Sequence, residues 1–219
     1  SLNLVVAWRI LGESLAHEHR VARDLWDFGH IRDALAHPRL RPLMLVWFIA
    51  PFAFAGYSTL VPLFAAEAYG WRERDLGFLF TIVGVVAAFV QGWAFGRIVK
   101  VTGDRALVIA GAVGMAVAIG VIPFLPSGRA LYAWSVLLAL SNSVFAPAIS
   151  GLLSVLAGPA EQGTILGAAQ SLSALGRLSG PEVFGFTMDA GGPRVAFIVT
   201  AVGMLGAAAA AHGIHRDRN

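Results

Sequence analysis

The chain has 219 residues, 57% of them hydrophobic and 13% charged, with a formal net charge of +3 and a mean hydropathy of +0.71. A soluble domain carries about 25% charge, so a water-soluble globular fold is excluded. The absence of cysteine removes disulfides, thiol nucleophiles and thiolate metal sites, and the scattered arginines form no basic face that tracks nucleic-acid phosphates, despite a pI of about 9.9.

Residues 2–10 (LNLVVAWRI) lack a basic leader and a small-residue cleavage site, which makes them a poor signal peptide. They read as the exit end of an earlier helix, and the chain as a piece of a longer protein. Residues 14–37 follow with a helical pattern: Val21, Leu25, Phe28, Ile31 and Leu35 recur at spacings of three and four, with Asp24, Asp27 and Asp33 elsewhere on the wheel. This predicts a cytoplasmic amphipathic helix that ends at His37-Pro38, since proline disfavours helix at the residue before it. His17, His19 and His30 are read either as a binding group or as solvated loop histidines, and without Cys or a Glu at helical ligand spacing no metal is expected. Residues 1–41 therefore precede the membrane part.

Uncharged runs then succeed one another at 42–66, 76–96, 106–126 and 130–160, each long enough for the roughly 20 apolar residues that cross a bilayer core. Two more spans follow, one of them interrupted by Arg177 and Glu182. The expected crossings are approximately 42–66, 76–98, 106–126, 130–157, 162–188 and 194–212: an all-α membrane protein with a six-helix bundle over residues 42–219. The Arg and Lys residues divide unequally between the two sides. Arg20, Arg23, Arg32, Arg39, Arg41, Arg97, Lys100, Arg105, Arg216 and Arg218 mark the expected cytoplasmic side, and Arg72, Arg74, Arg129 and Arg194 the other. Both chain ends are then cytoplasmic.

Within the spans, the polar and helix-breaking residues are the candidates for function. The first span holds Pro51, Gly56, Tyr57, Ser58 and Pro62, which predict a bent, partly polar helix with Tyr57 as a cavity candidate. The second carries a small stripe, Gly77, Thr81, Gly84, Ala88 and Gln91, at helical spacing. The fourth carries Asn142 at mid-depth and Pro147, which frees the carbonyl of Ser143; the amide is read either as lining a cavity or as an interhelical hydrogen bond, worth about 0.6 kcal/mol. Trp71 and Trp134, near span ends, read as interfacial anchors.

The fifth span has a matching stripe: Gly163, Gly167, Gln170, Ala174, Arg177 and Pro181. Small residues let another helix approach closely. Arg177 falls roughly 22 Å along the helix from Gln162, and Glu182 about 7 Å further. A charge at the centre of a membrane helix costs about 2.5–3.5 kcal/mol by insertion scales, so these residues are expected to face protein or a water-filled cavity. Gly180-Pro181 is expected to break the helix between them, because proline leaves the carbonyl of Arg177 without its helical partner. Three readings stay open: Glu182 takes up and releases a proton as its surroundings change, tuned by Arg177; the two side chains satisfy fixed structural partners; or Glu182 is a charge at the outer mouth that faces water.

Three stretches together resemble the major facilitator superfamily, specifically the carboxyl-terminal half of a transporter. LGESLAHEHR (11–20) is similar to the PESL-type exit from the family's sixth helix, with Gly12 in place of proline. GRIVKVTGDRAL (96–107) is similar to the second-half copy of the loop pattern G-x-L-x-D-R-x-G-R-R; Gly96, Ile98, Gly103 and Arg105 fit, next to Asp104, while Lys100 stands at the position of the first-half aspartate. EQGTILGAAQSLSALGRLSGPEVFG (161–185) resembles the tenth-to-eleventh helix region of drug:proton antiporters of the tetracycline type, and Gly176, Gly180, Pro181 and Gly185 echo the family's antiporter motif. The resemblance implies a six-helix half, helices seven to twelve, of a twelve-helix fold whose two halves hold substrate near the midplane between them.

On that resemblance the expected function is proton-coupled efflux of small, largely apolar organic compounds, with the proton gradient as energy source and no cofactor. The expected partners are the small-molecule substrate, membrane lipid and an amino-terminal six-helix half; no nucleic acid is expected. The expected location is a bacterial inner membrane. Facilitated or proton-coupled uptake of a sugar or organic acid is the alternative within transport. A non-transporting polytopic protein is the alternative of another class. A membrane-embedded enzyme is disfavoured because the spans hold no histidine before His212, no G-x-S-x-G and no paired aspartates.

Overall fold

A computed structural model describes residues 29–157 and 162–214. The segment 11–20, most of the expected amphipathic helix and Glu161 lie outside the described residues. So do His17 and His19, and the His30 side chain is not described either. What is described begins with α1 (Gly29–Ala36), which stops at His37-Pro38 as the sequence predicts and tucks Ala34 and Leu35 against the bundle.

The first crossing, α2 (Arg41–Tyr69), starts with Pro42 in its first turn, where a missing N–H costs nothing. It runs unbroken through Pro51 and Pro62 and ends on Gly70, whose left-handed φ of 66° lets Gly70 and Trp71 donate back to Ala66 and Ala65. The second crossing, α3 (Glu73–Thr102), begins with Asp75 accepting from the Arg72 amide at 3.0 Å. A π-helical turn, Val90–Ala94, interrupts it. The third, α4 (Asp104–Phe124), places Asp104 in its first turn, where an anion suits the helix dipole. The fourth, α5 (Gly128–Leu156), is capped by Ser127 Oγ, which accepts from the Ala130 amide at 3.3 Å.

The last element, α6, is written by its hydrogen bonds as Gln162–His212. At 51 residues it spans about 76 Å at 1.5 Å per residue, far beyond a bilayer core of about 30 Å. Gly192 resolves this. Its φ of 76° and ψ of 175° are non-helical and divide α6 into two arms, 162–191 and 193–212. Six crossing segments result, as the composition predicts. One expected break moves, however. No residue between 162 and 191 leaves helical dihedrals, so Gly180-Pro181 does not interrupt the first arm; proline's fixed φ is itself helical, and only one carbonyl loses its donor.

The core forms where α2 lies between the two arms of α6. Phe52 and Phe184 meet at 5.0 Å on one arm, and Phe64 and Phe197 at 5.4 Å on the other. α4 joins α5 through Gly111 and Gly114, which face Phe145 and Ser141, and joins the second arm where Gly120 faces Ala201. By contrast α3 is peripheral, with only Leu79 and Val90 buried. Both ends of the bundle are tied across helices. At one end Arg105 donates to the His212 carbonyl and Gln162 to the Ser154 carbonyl at 3.1 Å. At the other, Tyr69 donates to the Leu125 carbonyl at 2.9 Å and Trp71 stacks on Tyr132 at 4.6 Å. Trp71 and Trp134 are therefore braces within the protein as well as candidates for the interface: the Trp134 indole donates to the Ala118 carbonyl at 2.8 Å.

Candidate functional site

A cavity of about 610 Å³ opens between α2, α4, α5 and the first arm of α6. Its wall is mainly apolar, with Trp47, Phe54 and Phe145 as its largest aromatics, and its polar groups converge from three helices. Those groups are Ser58 on α2, Asn142 and Ser150 on α5, and Gln170, Ser173 and Arg177 on α6. The hydroxyls of Ser58 and Ser150 are spent on the carbonyls of Ala55 and Ala146 in their own helices, at 2.8 and 3.1 Å. Asn142 and Gln170 make no hydrogen bond among the described residues, so both amides remain open to a ligand. Arg177 donates to Ser173 Oγ at 2.5 Å, one turn back on the same helix.

Helical spacing accounts for much of this. Gln170, Ser173, Arg177 and Pro181 recur at three and four, so one face of α6 meets the cavity. Glu182 does not: five residues after Arg177, it projects about 140° away, is exposed, and lies outside the cavity wall. No ion pair joins the two. Because Gly180-Pro181 stays helical, nothing turns Glu182 back toward Arg177.

Two further candidates move. Tyr57 is not a cavity residue, since it is only 4% exposed and sits inside the core beside Phe54, at 5.6 Å between rings. Gln91 is exposed in the π-helical turn of the peripheral α3, away from this cavity. The remaining glycines separate into two kinds. Gly163 and Gly167 are exposed, with open space where a Cβ would go. Gly176 and Gly180 are buried against α2: a Cβ would lie 2.6 Å from the Phe48 carbonyl oxygen in the first case and 2.3 Å from that of Phe52 in the second. Pro147 lies inside α5 without ending it. Along α3, Gly77, Thr81, Gly84, Ala88 and Gln91 are all exposed, so the stripe seen in the sequence is an uncovered face of the described protein.

At the end of the bundle, Gly103 turns the chain with φ 80° and ψ 155°. Asp104 approaches Gly151 so closely that a Cβ there would sit 2.8 Å from its Oδ1. Arg105 places its guanidinium at the last carbonyls of α6, where a cation complements the helix dipole. Gly96 is exposed and contacts none of this cluster.

Trp47, Phe54 and Ser173 were not singled out by sequence reasoning. Trp47 and Phe54 belong to a helix apolar on all sides, so no pattern separates a cavity face from a lipid face. Ser173 could have been found, because it stands four residues before Arg177 on the same stripe.

The sequence profile of the Major Facilitator Superfamily matches residues 18–218. The chain is similar to multidrug resistance protein 2 of Bacillus subtilis, 27% identical over 184 residues that are 82% of this chain and 46% of that protein. It is also similar to the class E tetracycline resistance protein of Escherichia coli, 32% identical over 152 residues, 69% of this chain and 37% of that one. Among solved structures it resembles the human organic anion transporter MFSD10 (TETRAN), with a TM-score of 0.84 and 23% identity, covering 96% of this chain and 54% of that one. At that identity the likeness is one of fold. The chain spans about half, or less, of the length of these relatives.

Proposed function

Since this chain belongs to the Major Facilitator Superfamily and is an integral membrane protein with that family's fold, we propose that it is the carboxyl-terminal half of a secondary transporter exporting small, largely apolar organic compounds in exchange for protons. The observation that carries this reading is the cavity: about 610 Å³, aromatic and aliphatic in its walls, with two uncommitted amides and one guanidinium. Small-molecule sites are of this kind, apolar with a few placed polar groups. A sugar carrier calls for many paired hydrogen-bonding groups, and this wall offers few. The relatives described as multidrug and tetracycline resistance proteins support export as the direction.

The uncovered small-residue faces of α3 and of the first arm of α6 suit contact with an amino-terminal six-helix half, and the exposed phenylalanines of α3, such as Phe78, Phe80 and Phe89, suit lipid. We place the end that carries Arg39, Arg41, Arg97, Lys100 and Arg105 in the cytoplasm of a bacterial inner membrane, by the excess of positive charge. The energy source in this reading is the proton gradient, with no cofactor, no nucleic-acid partner and no enzymatic step.

Glu182 is the proton carrier we assign to this half. It lies deeper along the apolar length of α6 than Asp189, with about 15 Å of helix between it and Gly192. The test is proton release from acidified inside-out vesicles holding the complete transporter, followed with a pH-sensitive dye as tetracyclines, cationic dyes and phenicols are added in turn. Compound-driven proton loss in the wild type that is absent with Glu182→Gln supports the reading. Equal loss in both removes Glu182 from coupling, and no loss with any compound removes proton-coupled export.

A further inference from the structure

The peripheral helix α3 carries two different outward faces. Phe78, Val85 and Phe89 each stand one position after Gly77, Gly84 and Ala88, so they lie about 100° round the helix from the small-residue stripe. All three are more than half exposed. The side that packs on α5 is a third one, marked by the buried Leu79 and Val90. A ridge of large apolar groups thus runs beside the stripe that suits another helix, and its bulk suits acyl chains instead.

Toward the end that carries Lys100 the ridge changes character. The π-helical turn at Val90–Ala94 keeps Trp93 beside Phe89, with ring centroids 5.3 Å apart. Arg97 lies on the Trp93 ring, 4.4 Å from its centroid, and its Nη1 donates to the Trp93 carbonyl at 2.6 Å. Ring and carbonyl hold the guanidinium in line with the ridge and use one of its five donors. Lys100 follows one turn later and is exposed. No acidic residue occurs between Asp75 and Asp104, and Asp104 turns toward Gly151 on α5. Measured from Phe78 at 1.5 Å per residue, Trp93 is about 22 Å along the axis, Arg97 about 28 Å and Lys100 about 33 Å, against a hydrocarbon core of about 30 Å. Apolar ridge, indole and two cations therefore succeed one another in the order in which a leaflet presents acyl chains, interface and phosphates.

We propose that Trp93, Arg97 and Lys100 form a binding site for the phosphate of an anionic phospholipid, whose acyl chain lies along Phe89, Val85 and Phe78. The two cations attract the headgroup, and the planar guanidinium takes phosphate oxygens in paired hydrogen bonds. The ridge supplies the apolar contact that a soluble phosphate cannot use. The site needs neither the cavity nor a particular cargo, so its test is independent of the transport reading.

The experiment takes the complete transporter in detergent with equimolar phosphatidylglycerol and phosphatidylcholine, whose choline cancels the phosphate charge, and counts retained lipid by native mass spectrometry. The wild type is expected to retain the glycerol lipid about tenfold over the choline lipid. Arg97→Gln combined with Lys100→Gln is expected to bring that preference within about twofold, whereas Arg97→Lys combined with Lys100→Arg keeps it. Arg72→Gln combined with Arg74→Gln, at the opposite end of α3, is expected to keep it as well. Equal retention of the two lipids by the wild type, or a preference that survives loss of both Arg97 and Lys100, overturns the proposal. So does an equal loss with the Arg72 and Arg74 pair, which would make the effect one of overall charge. Displacement of the lipid by an equal concentration of glycerol phosphate would show a site for soluble phosphate and overturn it too.

Discussion

Gly180 approaches Phe52 until a Cβ on it would stand 2.3 Å from the Phe52 carbonyl oxygen, with Gly176 in the same relation to Phe48 one turn earlier. Two helix backbones meet there with nothing between them, on the face of α6 that turns away from the exposed stripe.

Gly180→Ala must therefore push backbone rather than a side chain. Overpacking of this kind costs typically about 1–3 kcal/mol, and thermal unfolding of the detergent-solubilised protein should show the loss. Gly206→Ala, on the second arm and off the stripe proposed to meet the other half, meets open space and is expected to carry no such penalty. If the two substitutions cost the same, the α2–α6 contact is not as close as described.

Gly56 offers a repairable version of the same clash. Its Cβ would overlap the Phe184 ring, 1.9 Å from Cδ2. Gly56→Ala is expected to destabilise, and Phe184→Leu in the same chain to recover part of the loss, with a coupling energy of about 0.5–3 kcal/mol in a double-mutant cycle. Strictly additive effects would show that the two residues do not touch.

Gly192 carries φ 76° and ψ 175°, and Gly103 φ 80° and ψ 155°, a region that is essentially reserved for glycine. Neither has an atom within 4 Å of where a Cβ would go, so the cost of Gly192→Ala is conformational, about 1–3 kcal/mol. Gly206, equally uncrowded but helical, is the control: Gly206→Ala should be neutral or stabilising by about 0.5–1 kcal/mol. Thermal unfolding of both variants decides it, and a harmless Gly192→Ala would mean the two arms are not divided at that residue.

Arg105 anchors the start of α4 to the His212 carbonyl at the end of α6. Arg105→Ala is expected to cost about 0.3–1 kcal/mol, the usual worth of a cation at a helix C-terminus, and to speed amide exchange over 208–214. Unchanged exchange there would mean that the contact does not hold the end of α6.

How the chain is divided between sequence and structure can be seen in α6. The apolar content of 162–212 and its length announce two crossings. The stripe Gly163, Gly167, Gln170, Arg177 and Pro181 is legible because helical spacing alone puts those residues on one face. The break was misplaced because Gly-Pro resembles a stop, whereas proline's φ is compatible with helix and the positive φ of Gly192 is not. Tyr57 was misread for a related reason: in a helix hydrophobic on all sides, sequence does not distinguish a ring facing a cavity from one facing Phe54 in the core.

By itself the sequence determined the membrane class, the number of crossings, the side on which positive charge accumulates, and the family, because hydropathy, charge placement and local motifs are properties of the chain read residue by residue. Tertiary structure alone decided which polar groups meet. Asn142 and Arg177 stand on different helices and share a cavity, whereas Arg177 and Glu182 are five residues apart and do not. Which groups share a cavity depends on the rotation of each helix about its own axis, and that rotation is set by close contacts such as Gly180 on Phe52, which exist only once the helices have come together.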